Sequence, residues 1–324
     1  MVYFGTGNTY DVATLLEPRD GKVGPNDALH TDSTLAIDAD TGKLAWSFQH
    51  VHRDVWDLDW VFEQSLVDLT IGGKPRKLVV TGGKIALFDA LDRATGKYAF
   101  SRDMGLQNLV LGVDPRTGEK HLNPALEPEP GKPKTMCPSP LGARNWPATA
   151  VNPATGVLYV PMIEFCTQYS YSPRSPQETA AGGVDISFSG LLPRPEADGK
   201  FSRLTAVDLK TGKVLWMHRQ RAPLASAMLA TAGGIVFAGD RDRYFRALDE
   251  ATGKVLWETR LNASPSAFPV TYAVGGQQYV AVTTGGGNSW DGATAVAGAE
   301  IINPSSGTTL WVFKLPQSVK VARK

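Results

Sequence analysis

The sequence predicts an all-β fold of the β-propeller type, and three observations favour it. The chain of 324 residues contains 33 glycines and 22 prolines, which are frequent in the tight turns between short strands. The tripeptide Thr-Gly-Lys recurs four times along the chain. It belongs to an 11-residue pattern that is repeated at intervals of 41 to 60 residues, a period typical of propeller blades.

The repeated pattern is A-x-D-x-x-T-G-K-x-x-W, and its chemistry predicts a β-hairpin. An apolar strand end leads into an Asp that bonds its own backbone and a Gly that can adopt positive φ, and an alternating strand follows. Each copy is expected to mark one blade. Three copies match fully, at residues 36–46, 206–216 and 247–257, and three match weakly, at residues 90–100, 150–160 and 301–311.

The tryptophan that closes the pattern is predicted to be structural. Every blade of a propeller buries one sheet face on its neighbour, so a large aromatic side chain at the strand end suits a plug between blades. We expect each indole to stack on the glycine region of the next blade. The residues concerned are Trp46, Trp216, Trp257 and Trp311.

The composition limits the classes of partner. The 33 basic and 32 acidic residues nearly cancel, and no Lys/Arg cluster is present, which argues against nucleic acid or an anionic membrane as the main partner. A small neutral ligand fits better. No window approaches eighteen consecutive apolar residues, and the first five residues show neither a basic n-region nor a cleavage site.

Several other chemistries are not supported by the sequence. The five histidines show no zinc spacing, and haem-attachment, nucleophile-elbow and P-loop motifs are absent. The two cysteines, Cys137 and Cys166, are separated by a proline-rich turn and a strand-like segment. Their spacing suits either a disulfide or two buried thiols.

An acidic segment at residues 52–59, which we call the acidic loop, follows the first copy of the pattern. Asp54, Asp57 and Asp59 surround Trp56 within it, between apolar runs. Turn caps or surface salt bridges are one interpretation, and a carboxylate facing a cavity is the other. The segment resembles the active-site loop of the quinoprotein dehydrogenases, which use pyrroloquinoline quinone (PQQ), and the 11-residue pattern resembles their tryptophan docking motif along the whole chain. This resemblance implies that Asp57 is the catalytic base.

The same resemblance implies a metal site. Residues 5–8 (Gly-Thr-Gly-Asn) are similar to a family motif whose Asn binds the metal of the cofactor, so Asn8 is the expected counterpart, beside Asp57. Asp59 occupies the position at which lanthanide-type members carry an additional Asp. Sugar-oxidising relatives also carry Asp there, so Ca²⁺ remains an alternative to a lanthanide. Oxygen ligands of this kind suit either hard cation.

Two further residues are implied to bind PQQ. Lys84 aligns with the Arg or Lys that contacts the quinone oxygens in the family, although a solvated turn lysine is the ordinary interpretation of Gly-Gly-Lys. Residues 137–146 resemble a segment of the alcohol-oxidising branch that supplies a cofactor-bonding Asn, here Asn145. In that branch the cysteine of the segment forms a disulfide one strand downstream, which implies a bridge between Cys137 and Cys166.

The resemblance therefore implies one domain over residues 1–324, part of an eight-bladed quinoprotein propeller and incomplete at the N-terminus. The implied function is PQQ- and metal-dependent oxidation of a primary alcohol to an aldehyde, with hydride transfer to the quinone. A sugar or polyol dehydrogenase is the second hypothesis, and a non-catalytic scaffold is the third. The expected partners are a small alcohol, cytochrome c or another periplasmic acceptor, the N-terminal part of the ring and, as one assembly, a second copy of the chain. The expected location is the periplasm, and this chain alone is expected to be inactive or nearly so.

One long segment leaves two interpretations open. Residues 169–200 are polar, interrupted by Pro and Gly, and too long for an ordinary blade loop. They form either a cover over the cavity or a surface insertion.

Overall fold

The computed structural model describes residues 1–10, 12–16, 26–175, 177–178, 184–285, 291–302, 304 and 307–315. Within these ranges the fold is almost entirely β, which confirms the predicted class. The helical elements in the described part of the chain are α1 (Val12–Leu16), α2 (Asp291–Ala297) and a 3-10 turn (Pro124–Leu126). None of these helices has the length and apolar character that a membrane crossing requires.

Five antiparallel sheets follow one another along the chain, and we call them blades 1 to 5. Strands that are neighbours along the chain pair in blades 1, 2, 4 and 5, as the repeat predicted. In blade 3 the strand Val157–Ile163 instead pairs with Ser202–Asp208, although three strands of another sheet lie between them in the chain. Blade 1 contains β1 (Val2–Gly5), β2 (Ser33–Ile37) and β3 (Leu44–Gln49), and blade 2 contains β4 (Ser65–Ile71), β5 (Lys74–Gly82), β6 (Leu87–Asp92) and β7 (Tyr98–Asp103).

The remaining strands form blades 3 to 5 and two smaller groups. Blade 3 contains β11 (Ala150–Asn152), β12 (Val157–Ile163), β16 (Ser202–Asp208) and β17 (Val214–Gln220). Blade 4 contains β18 (Leu229–Thr231), β19 (Ile235–Gly239), β20 (Tyr244–Asp249) and β21 (Val255–Arg260). Blade 5 contains β22 (Val270–Val274), β23 (Gln277–Thr284) and β24 (Thr309–Lys314). The first smaller group is a hairpin of β8 (Val110–Val113) and β9 (Lys120–Leu122). The second is a small sheet that contains β10 (Lys134–Met136), β13 (Phe165–Tyr171), β14 (Ile186–Phe188) and β15 (Leu192–Pro193).

The first copy of the pattern forms the predicted hairpin between β2 and β3. Asp38 Oδ1 accepts hydrogen bonds from the backbone N–H of Asp40 at 3.1 Å and of Thr41 at 2.8 Å. Gly42 has a φ of 69° and donates its N–H to the Asp38 carbonyl at 2.9 Å. The Asp and the Gly therefore perform the roles that the sequence assigned to them.

The copy at residues 150–160 differs from its predicted place. It connects β11 and β12, the first two strands of blade 3, whereas the copy at residues 206–216 connects the last two strands of the same blade. Two copies thus belong to one blade, and counting copies overestimates the blades. A similar Asp-to-Gly turn at residues 114–118, between β8 and β9, was not recognised in the sequence.

Two of the tryptophans pack as predicted. A Cβ added to Gly96 would lie 2.6 Å from Cε3 of Trp46, and one added to Gly253 would lie 2.7 Å from Cδ2 of Trp216 and closer still to Cε3. Each indole therefore covers the glycine of the following blade. Trp216 also donates its indole N–H to the Glu250 carbonyl at 2.8 Å. Trp257 instead packs edge-on against a ring of β24, that of Phe313, at 5.2 Å between centroids.

The hydrophobic core lies between neighbouring blades. Leu78 and Phe88 of blade 2 share a buried cluster with Leu158 and Met162 of blade 3, and similar clusters join blade 3 to blade 4 and blade 4 to blade 5. Burial of each such side chain contributes about 1.5–3 kcal/mol. This packing fixes the blades against one another, so the loops at one end of the stack can be held together.

Candidate active site

The acidic loop connects blade 1 to blade 2 and turns around Asp54. This buried carboxylate accepts the backbone N–H of Trp56 at 2.8 Å and that of Leu58 at 2.6 Å. Burial raises the pKa of Asp54 to about 6, against the effect of the two hydrogen bonds. Asp57 and Asp59 both adopt positive φ, an unusual conformation for Asp that this tight turn imposes. Asp54 is therefore a structural residue of the loop.

Lys84 brings the two following carboxylates together. Its Nζ lies 3.0 Å from Oδ1 of Asp57 and 2.7 Å from Oδ2 of Asp59, and it also donates to the Asp57 carbonyl at 3.0 Å. The Lys84 backbone N–H donates to the Leu58 carbonyl at 3.0 Å. Lys84 is only 7% exposed, so the interpretation as a solvated turn lysine is wrong.

The electrostatics of this triad follow from its burial. Burial opposes the charged form of Lys84, but the carboxylates of Asp57 and Asp59 outweigh it and raise the lysine pKa. The pKa of Asp57 is also raised, because burial and the neighbouring Asp59 together exceed the attraction of Lys84. Asp57 is thus a stronger base than an ordinary surface aspartate.

Asn8 reaches the same cluster from the loop after β1. Its backbone N–H donates to Oδ1 of Asp59 at 3.2 Å, and its side-chain amide donates to the Thr9 carbonyl at 3.3 Å. Gly7 allows this approach, since a Cβ there would lie 2.5 Å from Asp59 Oδ1. The structure therefore brings Asn8, Asp57 and Asp59 together; that their side chains share one cation stays a prediction.

A hard cation is compatible with this donor set. Among the described residues, no three His, Cys, Asp or Glu side chains converge as a ready metal site. Two carboxylate oxygens nevertheless approach one positively charged atom, Nζ of Lys84, within 3.0 Å. Carboxylate and amide oxygens are the ligands that Ca²⁺-like ions prefer. Asn8, Asp57 and Asp59 could therefore hold such an ion.

Asn145 lies on the segment that packs against the backbone of Lys84. The Ala143 N–H of this segment donates to the Lys84 carbonyl at 2.7 Å. The amide of Asn145 donates to the Leu141 carbonyl at 2.9 Å and accepts the Trp146 N–H at 2.7 Å. These contacts hold the loop in shape, and the role of Asn145 in binding PQQ stays a prediction.

The predicted disulfide is present. Cys137 and Cys166 are bonded, with their α-carbons 4.3 Å apart and a sequence separation of 29. The bond anchors the beginning of the Asn145 segment to β13. The alternative of two buried free thiols is thereby excluded.

Arg144 is a buried residue to which the sequence analysis assigned no role. Its guanidinium donates to the Gly82 carbonyl at 2.7 Å and to both carboxylate oxygens of Glu63 at 2.7 and 2.6 Å. It also lies 4.3 Å from the centre of the Phe62 ring. Arg144 therefore connects the strand end before Lys84, the segment after the acidic loop and its own loop. Glu63 lies 81 positions away, so no local sequence signal marked the pair.

A small cavity opens beside Asp57. Its volume is about 140 Å³, and Asp57 and Asn8 are at its wall. Tyr10 also lines it, and the pKa of Tyr10 is raised, chiefly by the negative charge of Asp57. The other lining residues are mostly apolar: Thr9, Val12, Val55, Val184, Ile186 and Phe188.

The cavity decides between the two interpretations of residues 169–200. Val184, Ile186 and Phe188 of this segment line the cavity, so the part described here covers it. A larger groove of about 470 Å³ runs between β7 and β8. It contains none of the residues of the cluster, and we assign no chemistry to it.

Comparisons with known proteins identify the family. Residues 1–101 and 114–280 match the family described as PQQ glucose/ethanol/alcohol dehydrogenase, β-propeller domain. The chain belongs to this family. Membership in the PQQ family confirms the resemblance on which the site residues were assigned, and it agrees with the stacked antiparallel blades.

Individual quinoprotein relatives give the same result. The chain is 31% identical over 333 residues to quinoprotein alcohol dehydrogenase PedH of Pseudomonas putida, covering 99% of this chain and 53% of that protein. It is 32% identical over 273 residues to 1-butanol dehydrogenase (cytochrome c) of Thauera butanivorans, covering 81% and 38%. A europium-containing methanol dehydrogenase superposes with a TM-score of 0.84 at 28% identity, covering 97% of this chain and 57% of that chain.

A further solved structure, quinohemoprotein alcohol dehydrogenase from Comamonas testosteroni, superposes with a TM-score of 0.80 at 30% identity. It covers 96% of this chain and 46% of the solved chain. The quinoprotein chain thus spans about half the length of the relatives it matches.

Proposed function

We propose that this chain carries the catalytic base and part of the cofactor site of a PQQ- and metal-dependent dehydrogenase that oxidises a primary alcohol to an aldehyde. One observation carries the proposal. The carboxylates of Asp57 and Asp59 converge on one positively charged atom of Lys84 within 3.0 Å, beside a cavity with apolar walls. Membership in the PQQ family supplies the chemical context.

In this proposal the cation is held by Asn8, Asp57 and Asp59. Two carboxylates from one loop and an amide from a second loop combine charge with a neutral oxygen donor, which suits a hard ion. Asp59 provides the additional negative charge that favours a lanthanide over Ca²⁺. The europium-containing relative supports this order of preference.

PQQ, when bound, would accept the hydride equivalent that leaves the alcohol carbon. The residues of this chain would do the remaining work. Lys84 and Asn145 would contact the cofactor, and the ammonium of Lys84 would stabilise negative charge that develops on it. Asp57 would accept the hydroxyl proton at a carboxylate oxygen. Its raised pKa suits proton transfer, and a base of this kind contributes about 10²- to 10⁴-fold to the rate.

The cavity favours a short alcohol over a sugar or polyol. Its volume is about 140 Å³, and Val55, Ile186 and Phe188 line it. A polyol would place several hydroxyl groups against these apolar side chains, and a buried hydroxyl without a hydrogen bond costs about 1–3 kcal/mol. A short alkyl chain meets no such penalty, so substrates the size of ethanol or butanol fit best.

The expected electron acceptor is a cytochrome c, and the expected compartment is the periplasm. One relative is named as a cytochrome c-linked 1-butanol dehydrogenase, and a disulfide such as Cys137–Cys166 persists in oxidising compartments. We also propose that residues 1–324 form a single domain. The remainder of the propeller ring and a second copy of the chain are its proposed protein partners.

The proposal is tested first by binding. Tb³⁺, Ca²⁺ and PQQ are titrated into the 324-residue chain, and Tb³⁺ luminescence and PQQ absorbance are recorded. Asp57→Asn and Asp59→Asn should weaken cation binding at least tenfold. Asp40→Asn is the matched control, because Asp40 is exposed in the first hairpin turn and does not belong to the cluster.

Catalysis is tested in a full-length protein that carries this chain. Dye reduction is measured with methanol, ethanol, 1-butanol and glucose in the presence of PQQ and each cation. Preference for glucose would favour the sugar dehydrogenase. If PQQ absorbance does not change and no cation supports dye reduction, the enzyme hypothesis is wrong and the scaffold remains.

A further inference from the structure

Asp32, at the start of blade 1, is a buried carboxylate that the proposed site does not use. It is 1% exposed. Neither of its carboxylate oxygens has a hydrogen-bond partner among the described residues. Asp54, which is equally buried, accepts two backbone N–H groups. A buried carboxylate is normally paired, bound to a metal or protonated, and the described side chains offer Asp32 no hydrogen-bond partner.

The backbone of Asp32 joins the two segments that carry the proposed cation ligands. Its N–H donates to the carbonyl of Gly7, next to Asn8, at 3.1 Å. Its carbonyl accepts the N–H of His50, just before the acidic loop, at 2.8 Å. Asp32 has a φ of 46°, a region that Asp and Asn tolerate better than most residues. The backbone of Asp32 is therefore tied to both segments of the site.

The charges that Asp32 experiences are those of the proposed site. Burial raises its pKa, the negative charges of Asp54, Asp59 and Asp57 raise it further, and the positive charge of Lys84 opposes them. Lys84 forms ion pairs with Asp57 and Asp59, whereas Asp32 and Asp54 act on the same charges without an ion pair to Lys84 in the described part of the chain. If all four carboxylates are ionised, three negative charges remain unbalanced, a number that one trivalent cation would neutralise.

We propose that Asp32 supplies buried negative charge to the ion held by Asn8, Asp57 and Asp59, and that it thereby favours a trivalent over a divalent cation. The inference rests on the proposed function. Coulomb energy is proportional to the charge of the ion, so loss of this carboxylate weakens a trivalent ion more than a divalent one. Low dielectric around a buried group enlarges the difference.

The experiment compares Asp32→Asn with the unsubstituted 324-residue chain. Asn has nearly the same shape and tolerates positive φ, so the substitution removes charge with little change in packing. Dissociation constants for Tb³⁺ and Ca²⁺ are measured by luminescence and by competition. We expect Tb³⁺ to bind at least tenfold more weakly and Ca²⁺ to be affected less. Asp40→Asn is the control and should leave both constants unchanged.

Two outcomes would overturn the inference. Equal Tb³⁺ affinity in Asp32→Asn and in the unsubstituted chain would show that the carboxylate does not act on the ion, and would leave the proposed function intact. If Asp32→Asn and Asp32→Ser both fail to fold in cation-free buffer, the carboxylate is structural and the inference is equally wrong. Absence of Tb³⁺ binding to the unsubstituted chain would instead remove the proposed cation site together with Asp32.

Stability provides a second readout. In cation-free buffer Asp32→Asn should have a higher melting temperature than the unsubstituted chain, because an unpaired buried carboxylate has been removed. Added Tb³⁺ should raise the melting temperature of the unsubstituted chain more than that of the variant, since a ligand that binds the folded state more tightly stabilises it more. A lower melting temperature of Asp32→Asn in cation-free buffer, or a larger rise with Tb³⁺ in the variant than in the unsubstituted chain, contradicts the proposal.

Discussion

The indole ring of Trp60 lies directly against the α-carbon of Gly83. A Cβ at Gly83 would come 2.7 Å from Cζ3 of the indole and closer still to Cε3. Trp60 follows Asp59, and Gly83 precedes Lys84, so this contact fixes the acidic loop against the lysine. His50 stacks on Trp60, with 4.5 Å between ring centroids and 2° between planes.

Substitution Gly83→Ala should therefore disturb the cluster. The methyl group must displace either Trp60 or the Lys84 backbone, and overpacking of this kind costs about 1–3 kcal/mol. We expect a lower free energy of unfolding and weaker Tb³⁺ binding, measured by denaturant titration and luminescence. Gly233→Ala is the control, because a Cβ at that exposed glycine meets only Thr231 Oγ1, at 3.9 Å. Equal effects of the two substitutions would contradict this account.

Asp57→Asn should lower the turnover number by about 10²- to 10⁴-fold in a full-length protein that carries this chain. The amide keeps the shape of the side chain but cannot accept the hydroxyl proton. PQQ absorbance should persist at saturating cation, which separates lost proton transfer from lost cofactor. Turnover close to that of the unsubstituted protein at saturating cation would exclude Asp57 as the base.

Phe188→Ala should change the preferred alcohol. Removal of the ring enlarges the cavity beside Asp57, so kcat/KM for 1-hexanol relative to ethanol should rise about tenfold, the amount by which a few methylene contacts discriminate. Dye-linked assays with a series of primary alcohols measure the ratio. Phe268→Ala, at an exposed aromatic residue that does not line this cavity, should leave it unchanged.

The buried pair of His50 and Asp89 should make stability depend on pH. His50 Nδ1 lies 2.7 Å from Asp89, which also pairs with Lys120. Burial lowers the pKa of His50 to about 4. The unfolded chain therefore takes up a proton on this histidine near pH 6.5, whereas the folded chain does not. The contribution of neutral His50 to the free energy of unfolding is fully present above pH 6.5. About 3 kcal/mol of this free energy is lost as the pH falls toward 4.

The measurement is the difference in unfolding free energy between the unsubstituted chain and His50→Gln, at pH 7 and at pH 4. The difference is needed because Asp54, whose pKa is raised, changes stability in the opposite direction over this range. The free energy of unfolding of the unsubstituted chain should exceed that of His50→Gln by less at pH 4 than at pH 7. His121→Gln, at an exposed histidine, should show no such change.

Removal of the disulfide by Cys137→Ser with Cys166→Ser should lower the free energy of unfolding by about 3 kcal/mol, because the bridge closes a loop with a sequence separation of 29. PQQ affinity should fall as well, since the Asn145 segment loses its anchor. Denaturant titration and PQQ absorbance report the two effects. Treatment of the unsubstituted chain with a reductant should reproduce both; an unchanged PQQ affinity would separate the bridge from the site.

The sequence predicted those parts of the molecule that depend on local chemistry. The Asp-to-Gly turns, the hairpins and the packing of Trp46 and Trp216 follow from residues within a few positions of one another. The acidic loop was recognised because Asp57 and Asp59 stand together. The position of Lys84 between these carboxylates agrees with a role at the site, although the binding of an ion and of PQQ still has to be tested.

Features that depend on distant partners were not predictable in this way. Arg144 meets Glu63 across 81 positions, and Asp32 is brought under the site by pairing with Gly7 and His50. The copy at residues 150–160 was assigned to a blade of its own because the same turn chemistry serves the first and the last hairpin of a blade. Only the pairing of β11, β12, β16 and β17 in the structure shows which copy forms the first hairpin of the blade and which forms the last.

The bridge between Cys137 and Cys166 also makes the position of the Asn145 segment depend on the redox state of two thiols. The blades can fold from their own packing, but the segment bearing Asn145 is tethered only when two thiols have been oxidised. We therefore expect the reduced chain to keep the packing of its described blades while the segment that bears Asn145 is held less firmly.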